Sequence, residues 1–151
     1  MITPDFRLDL PRLGPVVAYR TLGIEDHIAD KVCATMSNFG SRASSRSKDL
    51  VDLVIITQTV EIDSRQLRLS VLAEAIHRGI PVFTRISVPR SMADGYPKLA
   101  RSVPLLADLL DPAIAIGVVN TMLHPSLSGE ISEGRWTPEV QIWVRKRAFG
   151  K

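Results

Sequence analysis

The chain has 151 residues, of which 45% are hydrophobic and 23% charged, a balance that excludes global disorder and predicts one globular domain with a sizeable core. The formal charge is +3, and fourteen of the 19 basic residues are arginine, the side chain best suited to bidentate phosphate contact. A single cysteine excludes an intrachain disulfide and a multi-cysteine zinc site, and no apolar run approaches the ~20 residues of a bilayer span. The first residues carry Asp5, Arg7 and Asp9 and no apolar core of a secretory signal, so a cytoplasmic protein that uses no membrane is expected.

Residues 1–22 are expected to form short strands, the remnant of a sheet. Phe6, Leu8 and Leu10 alternate with charged residues, Pro11 and Gly14-Pro15 break the run, and Val16–Tyr19 offers a second strand. Residues 23–151 are expected to be a single helical domain. Residues 24–38 predict a helix: Ile24, Ile28, Val32 and Met36 recur every four residues, Glu25 and Asp26 favour its first turn, and Gly40 stops it. Residues 40–47 are hydroxyl-rich and predict a polar loop, with Ser47 able to cap the next element.

Leu50–Ile56 is apolar except for Asp52, and periodicity does not separate a buried strand from a buried helix. Two features favour a helix: Lys48–Gln58 is long for a strand, and Asp49 and Asp52, three apart, would share one helical face. Asp63–Arg78 predicts a helix capped by Asp63 or Ser64 and ended by Gly79, with Leu67, Val71, Leu72, Ala75 and Ile76 inward. Ile80–Val88 is expected to be extended between Pro81 and Pro89. Arg90–Arg101 and Val103–Leu110 predict short helices. Asp111-Pro112 starts another that runs to about Leu123 and stops before Pro125. Ser126–Gly134 predicts a loop, and Trp136–Trp143 closes the body with two indoles, which the seven-residue spacing would set two helical turns apart.

The densest chemistry is Lys31 followed by Lys48, Asp49 and Asp52. Paired carboxylates can bind a divalent cation or orient a proton acceptor, and a lysine can neutralise phosphate. Asp52, flanked by Val51, Leu53 and Val54, is expected to be part-buried, where a charge is costly unless paired. The bland alternative is an internal Lys31–Asp52 salt bridge fixing two helices. Arg42 and Arg46 add a basic loop beside this cluster, and Arg145, Lys146, Arg147 and Lys151 a basic end. Gly40-Ser41 ahead of Asp49 and Asp52 is similar to the Gly-Ser…Asp-x-Asp signature of minimal nucleotidyltransferases. On a strand, however, residues three apart face opposite ways, so that geometry fails. His27, His77 and His124 have no ligand spacing and read as surface or helix-end histidines. Cys33 reads as a small core residue.

Residues 24–34, Ile-Glu-Asp-His-Ile-Ala-Asp-Lys-Val-Cys-Ala, resemble the E-x-x-IAxK-x-x-A helix of the AbiEii/AbiGii-type nucleotidyltransferase toxins. Residues 44–53, Ser-Ser-Arg-Ser-Lys-Asp-Leu-Val-Asp-Leu, resemble that family's R-x-KDLxDL motif in the expected order. Glu74–Gly79 with Pro81 and Phe83, then the Asp111–Leu123 helix, Pro125, Gly129, Trp136 and Trp143, are similar to the stretches that follow, so the likeness runs from about residue 15. The resemblance implies a mainly α (α+β) fold, the helical C-terminal half of a polymerase-β-like nucleotidyltransferase with short N-terminal strands. It implies a type IV toxin–antitoxin or phage-defence toxin that transfers nucleotides to tRNA 3′ ends. Lys31, with Lys48, Arg46 and Arg42, would bind the nucleotide triphosphate; Asp52, with Asp49 second, would be catalytic. Magnesium would be the cofactor. The family's Gly-rich loop and metal-binding acidic pair are expected in an N-terminal half ahead of these motifs, and neither is visible before Lys31. The chain is therefore expected to supply a C-terminal half with no metal ligands of its own, partnered by a cognate antitoxin or the missing half. The alternative is a non-catalytic remnant or binding module whose Lys–Asp cluster is structural.

Overall fold

A computed structural model describes residues 23–37, 43–87 and 90–146, with the backbone alone at 43–46 and 90–94. The expected strands of residues 1–22, Gly40-Ser41, Arg42, Arg147 and Lys151 lie outside the described residues. The architecture is mainly helical with one small antiparallel sheet.

Helix α1 (Ile24–Ser37) buries Ile28, Ala29, Val32 and Cys33, the stripe its four-residue spacing predicts. Helix α2 (Ala43–Thr59) is the centre of the core. Every residue from Leu50 to Thr57 is buried, because α1, helix α4 (Arg90–Ala100) and helix α5 (Pro112–Leu127) pack around it. Burial on all sides explains why the run is apolar but for Asp52 and removes the period that would have marked it as helix. The hydroxyl-rich stretch is helical from Ala43 rather than a loop, and Ser47 is buried inside the helix instead of capping it. The crossing with α4 is close there: a Cβ on Gly95 would stand 2.9 Å from Ser47 Oγ.

Strand β1 (Ile62–Asp63) leads into helix α3 (Ser64–Arg78). Asp63 caps α3 by accepting from Gln66 N at 2.8 Å, and Gly79 ends it in the left-handed region at φ 71°, as expected. Leu67, Val71 and Ala75 face inward, but Leu72 and Ile76 are exposed, correcting the expected inner face. Residues 80–87 have no regular structure. Asn120 of α5 holds them, its Oδ1 accepting from Ile86 N at 2.8 Å and its Nδ2 donating to Ile86 O at 3.0 Å.

Only a single 3₁₀ turn (Pro104–Leu106) forms where a helix over Val103–Leu110 was expected. Pro112 keeps the preceding Asp111 extended and restarts the chain as α5, with Asp111 Oδ1 accepting from Ala113 N at 2.9 Å. Helix α5 does not stop before Pro125 but runs through it to Leu127. The bond that Pro125 cannot donate would have gone to Thr121, an exposed residue, so the loss falls on the solvent side. The expected loop thus shortens to residues 128–133.

Strands β2 (Gly134–Thr137) and β3 (Ile142–Arg145) form a hairpin that extends β1 in the order β1-β2-β3. Trp136 and Trp143 are therefore not two helical turns apart. They are directly opposed cross-strand partners, edge to face with ring centroids 5.5 Å apart. Trp136 is fully buried and donates to Thr57 O at 2.9 Å; Trp143 donates to Met122 O at 2.9 Å. The hairpin is thus bonded to both α2 and α5. No helix among the described residues is long and apolar enough to cross a membrane.

Candidate nucleotide site

Lys31 lies on α1 and Asp49 and Asp52 lie one turn apart on α2. The packing of α1 on α2 brings them together. Lys31 Nζ donates to Asp52 Oδ2 at 2.9 Å and stands 3.7 Å from Asp49 Oδ1. The Asp52 side chain is 3% exposed, Lys31 16% and Asp49 18%. The cluster thus has a shielded inner carboxylate, a half-buried cation and a half-buried outer carboxylate. Spacing on one helix face predicted the carboxylate pair, and the helix settles against the Asp-x-Asp strand geometry.

Lys48 is exposed. The backbone of Arg46 lies in the first turns of α2, and Arg42 is outside the described residues. Cys33 is fully buried and its Sγ donates to Val71 O at 3.8 Å. Burial pushes its thiol up to about 12, Arg78 opposes this, and Glu74 and Asp30 add to it, so it is a core residue and not a nucleophile. His77 is exposed near the end of α3, and His124 Nδ1 lies 3.1 Å from Thr84 Oγ1.

Sequence reasoning missed the contacts that set the rotation of α1. Asp63 N donates to Glu25 Oε2 at 2.9 Å, and Ser70 Oγ donates to Asp26 Oδ1 at 2.7 Å. Arg78 bridges Glu74 and Asp30, each at 2.7 Å. Burial pulls the Arg78 guanidinium down, but Glu74 and Asp30 outweigh it and hold it above its ordinary value. The Glu74–Arg78 pair was visible as an i, i+4 spacing; its reach to Asp30 on another helix was not. These bonds tie Asp30 to α3 and leave its neighbour Lys31 turned to α2.

Among the described residues no group of three His, Cys, Asp or Glu side chains is placed to hold a metal ion. Asp49 and Asp52 have an ammonium set between them, so this donor set does not fit a divalent cation.

A family model described as "Nucleotidyl transferase AbiEii toxin, Type IV TA system" matches residues 1–125. The chain belongs to the AbiEii nucleotidyltransferase toxin family. The match begins at residue 1 rather than about residue 15, covers both motif segments, and ends at Pro125. The β2–β3 hairpin and its tryptophans therefore lie outside the AbiEii match. No curated protein and no solved structure shows significant similarity to the chain.

Proposed function

We propose that this AbiEii-family chain is the nucleotide- and tRNA-binding half of a toxin that transfers nucleotides to tRNA 3′ ends. The observation that carries the reading is the Lys31–Asp52 pair, with Asp49 outside it, at the junction of the two family motifs. In the transfer, a tRNA 3′-hydroxyl attacks the α-phosphorus of a nucleotide triphosphate. The bond to the β-phosphate bridging oxygen breaks, pyrophosphate leaves, and the hydroxyl proton passes to a base. Lys31 is assigned to the triphosphate: its 2.9 Å bond to Asp52 fixes the ammonium, and the longer 3.7 Å contact to the more exposed Asp49 is the one that phosphate oxygens replace. Asp52 is assigned to orienting Lys31. Lys48, Arg46 and Arg42 are assigned to the phosphates and the RNA backbone. Magnesium, which would be held by residues other than this Lys31–Asp49–Asp52 cluster, would supply charge stabilisation at the triphosphate, and a cognate antitoxin would be a separate partner.

One observation favours a second reading. A cation bonded to a carboxylate only 3% exposed is also what a purely structural bridge between α1 and α2 looks like. Incorporation of labelled nucleotide triphosphates into a tRNA pool with magnesium, comparing the chain with Asp52→Asn, separates the possibilities. The proposal expects no transfer by the chain alone but triphosphate binding that is lost in Lys31→Ala. Transfer that vanishes in Asp52→Asn would show a complete enzyme and refute the half reading. Absence of both transfer and Lys31-dependent binding would leave a non-catalytic module.

A further inference from the structure

Strand β3 lies at one end of the sheet order β1-β2-β3, and no further strand pairs with it among the described residues. The bond from Lys146 N to Glu133 O fixes which of its peptide groups are used. Antiparallel partners alternate between bonded and unbonded pairs, so Arg135 with Val144 and Thr137 with Ile142 are the bonded ones. Trp143 and Arg145 therefore turn their main-chain N–H and C=O away from β2 as an open edge. The side chains divide as well. Trp143 points inward onto Met122 O, whereas Ile142 and Val144 stand on the outer face, 53% and 51% exposed. Arg135 and Lys146 have acidic neighbours in Glu61 and Asp63. Arg145 at one end of the strand and Glu139 in the turn at the other are both exposed, and neither has an ion-pair partner among the described residues.

We propose that β3 pairs antiparallel with β3 of a second copy of the chain, across a two-fold axis at Trp143, and joins two three-stranded sheets into one. In this register the outward peptide groups of Trp143 bond to those of its counterpart. Ile142 of each copy then stands opposite Val144 of the other, in the unbonded pairs where side chains approach most closely. The reversed direction sets the Arg145 end of each strand beside the Glu139 turn of the other, so opposite charges meet at both ends. Parallel pairing would bring the two Arg145 ends together. A slip of two residues one way sets Ile142 against Lys146. The same slip the other way runs the ladder into the turn, where Gln141 lies in the left-handed region at φ 57°. The chain's own strand thus supplies the main-chain partners, the apolar match and the charge match together. The inference stands on the hairpin alone, outside the AbiEii match, and is independent of the nucleotide site.

The test follows the full chain by sedimentation velocity over a concentration series to about 1 mM, the range in which so short an interface populates a dimer. Ile142→Glu with Val144→Glu sets like charges opposite each other at both pairs and is expected to weaken the dimer at least about tenfold. Ile142→Lys with Val144→Glu sets opposite charges at the same places and is expected to dimerise about tenfold more tightly than that variant, because residue 142 of one copy faces residue 144 of the other. In both variants the carboxylate placed at 144 faces Arg135 of its own chain, so circular dichroism should match the parent. Amide exchange gives a second reading. The Trp143 and Arg145 amides should become protected as concentration rises, while those of Ile142 and Val144 are protected throughout. A chain that stays monomeric, a dimer that does not distinguish the two variants, or exchange at Trp143 and Arg145 that ignores concentration would overturn the inference. Protection of those two amides already in the monomer would overturn it too, and would make the occupant another segment of the same chain.

Discussion

Replacing Lys31 by methionine keeps the aliphatic stem and removes the ammonium. Asp52, only 3% exposed, then loses its 2.9 Å bond to this cation in a site shielded from water. Breaking a buried pair from one side costs about 3–5 kcal/mol, and the partial exposure of Lys31 places the expected loss near 3. The converse change is milder. In Asp52→Asn the ammonium keeps Asp49 at 3.7 Å and some contact with water, so the expected loss is about 1–2 kcal/mol. Once Asp52 is neutral, Lys31→Met leaves no shielded charge at this pair, so the double variant should fall short of additivity by about 2 kcal/mol. Urea unfolding followed by fluorescence and circular dichroism measures all four proteins. For a chain of this length the Lys31→Met loss corresponds to a fall in Tm of roughly 6–12 °C. A Lys31→Met loss below about 0.5 kcal/mol, or strict additivity in the double variant, would refute the argument. The same double variant serves the functional question, since it should remain folded while losing the cation assigned to the triphosphate.

Two further outcomes are expected. Burial raises the Cys33 thiol from 9.0 to about 12 and the Tyr96 phenol from 10.0 to about 12, so between the unfolded and folded values the native state holds protons that the unfolded chain has lost. Stability should be unaffected by these two groups below about pH 9 and should fall above it, at up to about 1.4 kcal/mol per pH unit for each group; Cys33 should meanwhile resist alkylation at pH 8 until urea unfolds the chain. Stability flat from pH 9 to 11, or alkylation of the native protein, would contradict this. Asn120→Ala removes both bonds to Ile86, so amide exchange at Ile86 should accelerate and the fold should lose about 1–3 kcal/mol, measured by hydrogen exchange and urea unfolding.

What the sequence by itself determined was local. The four-residue recurrence from Ile24, the Asp63 and Asp111 caps, and the Gly79 stop are decided within a turn or two, and those elements stand where residue chemistry placed them. The one-face spacing of Asp49 and Asp52 and the two AbiEii motifs were legible for the same reason. The tertiary structure decided whatever depends on a distant partner. Leu72 and Ile76 point outward because α1 and α5 reach α3 from the other side, and no period in α3 itself reveals which apolar residues meet a neighbour. Trp136 and Trp143 pair across a hairpin because both indole N–H groups find carbonyls on helices far away in sequence. The functional cluster shows both limits. Its residue types were readable, but the charge it holds depends on α1 being bound to α3 through Asp26, Asp30 and Arg78. Those contacts span more than forty residues, and only the packed chain brings them together.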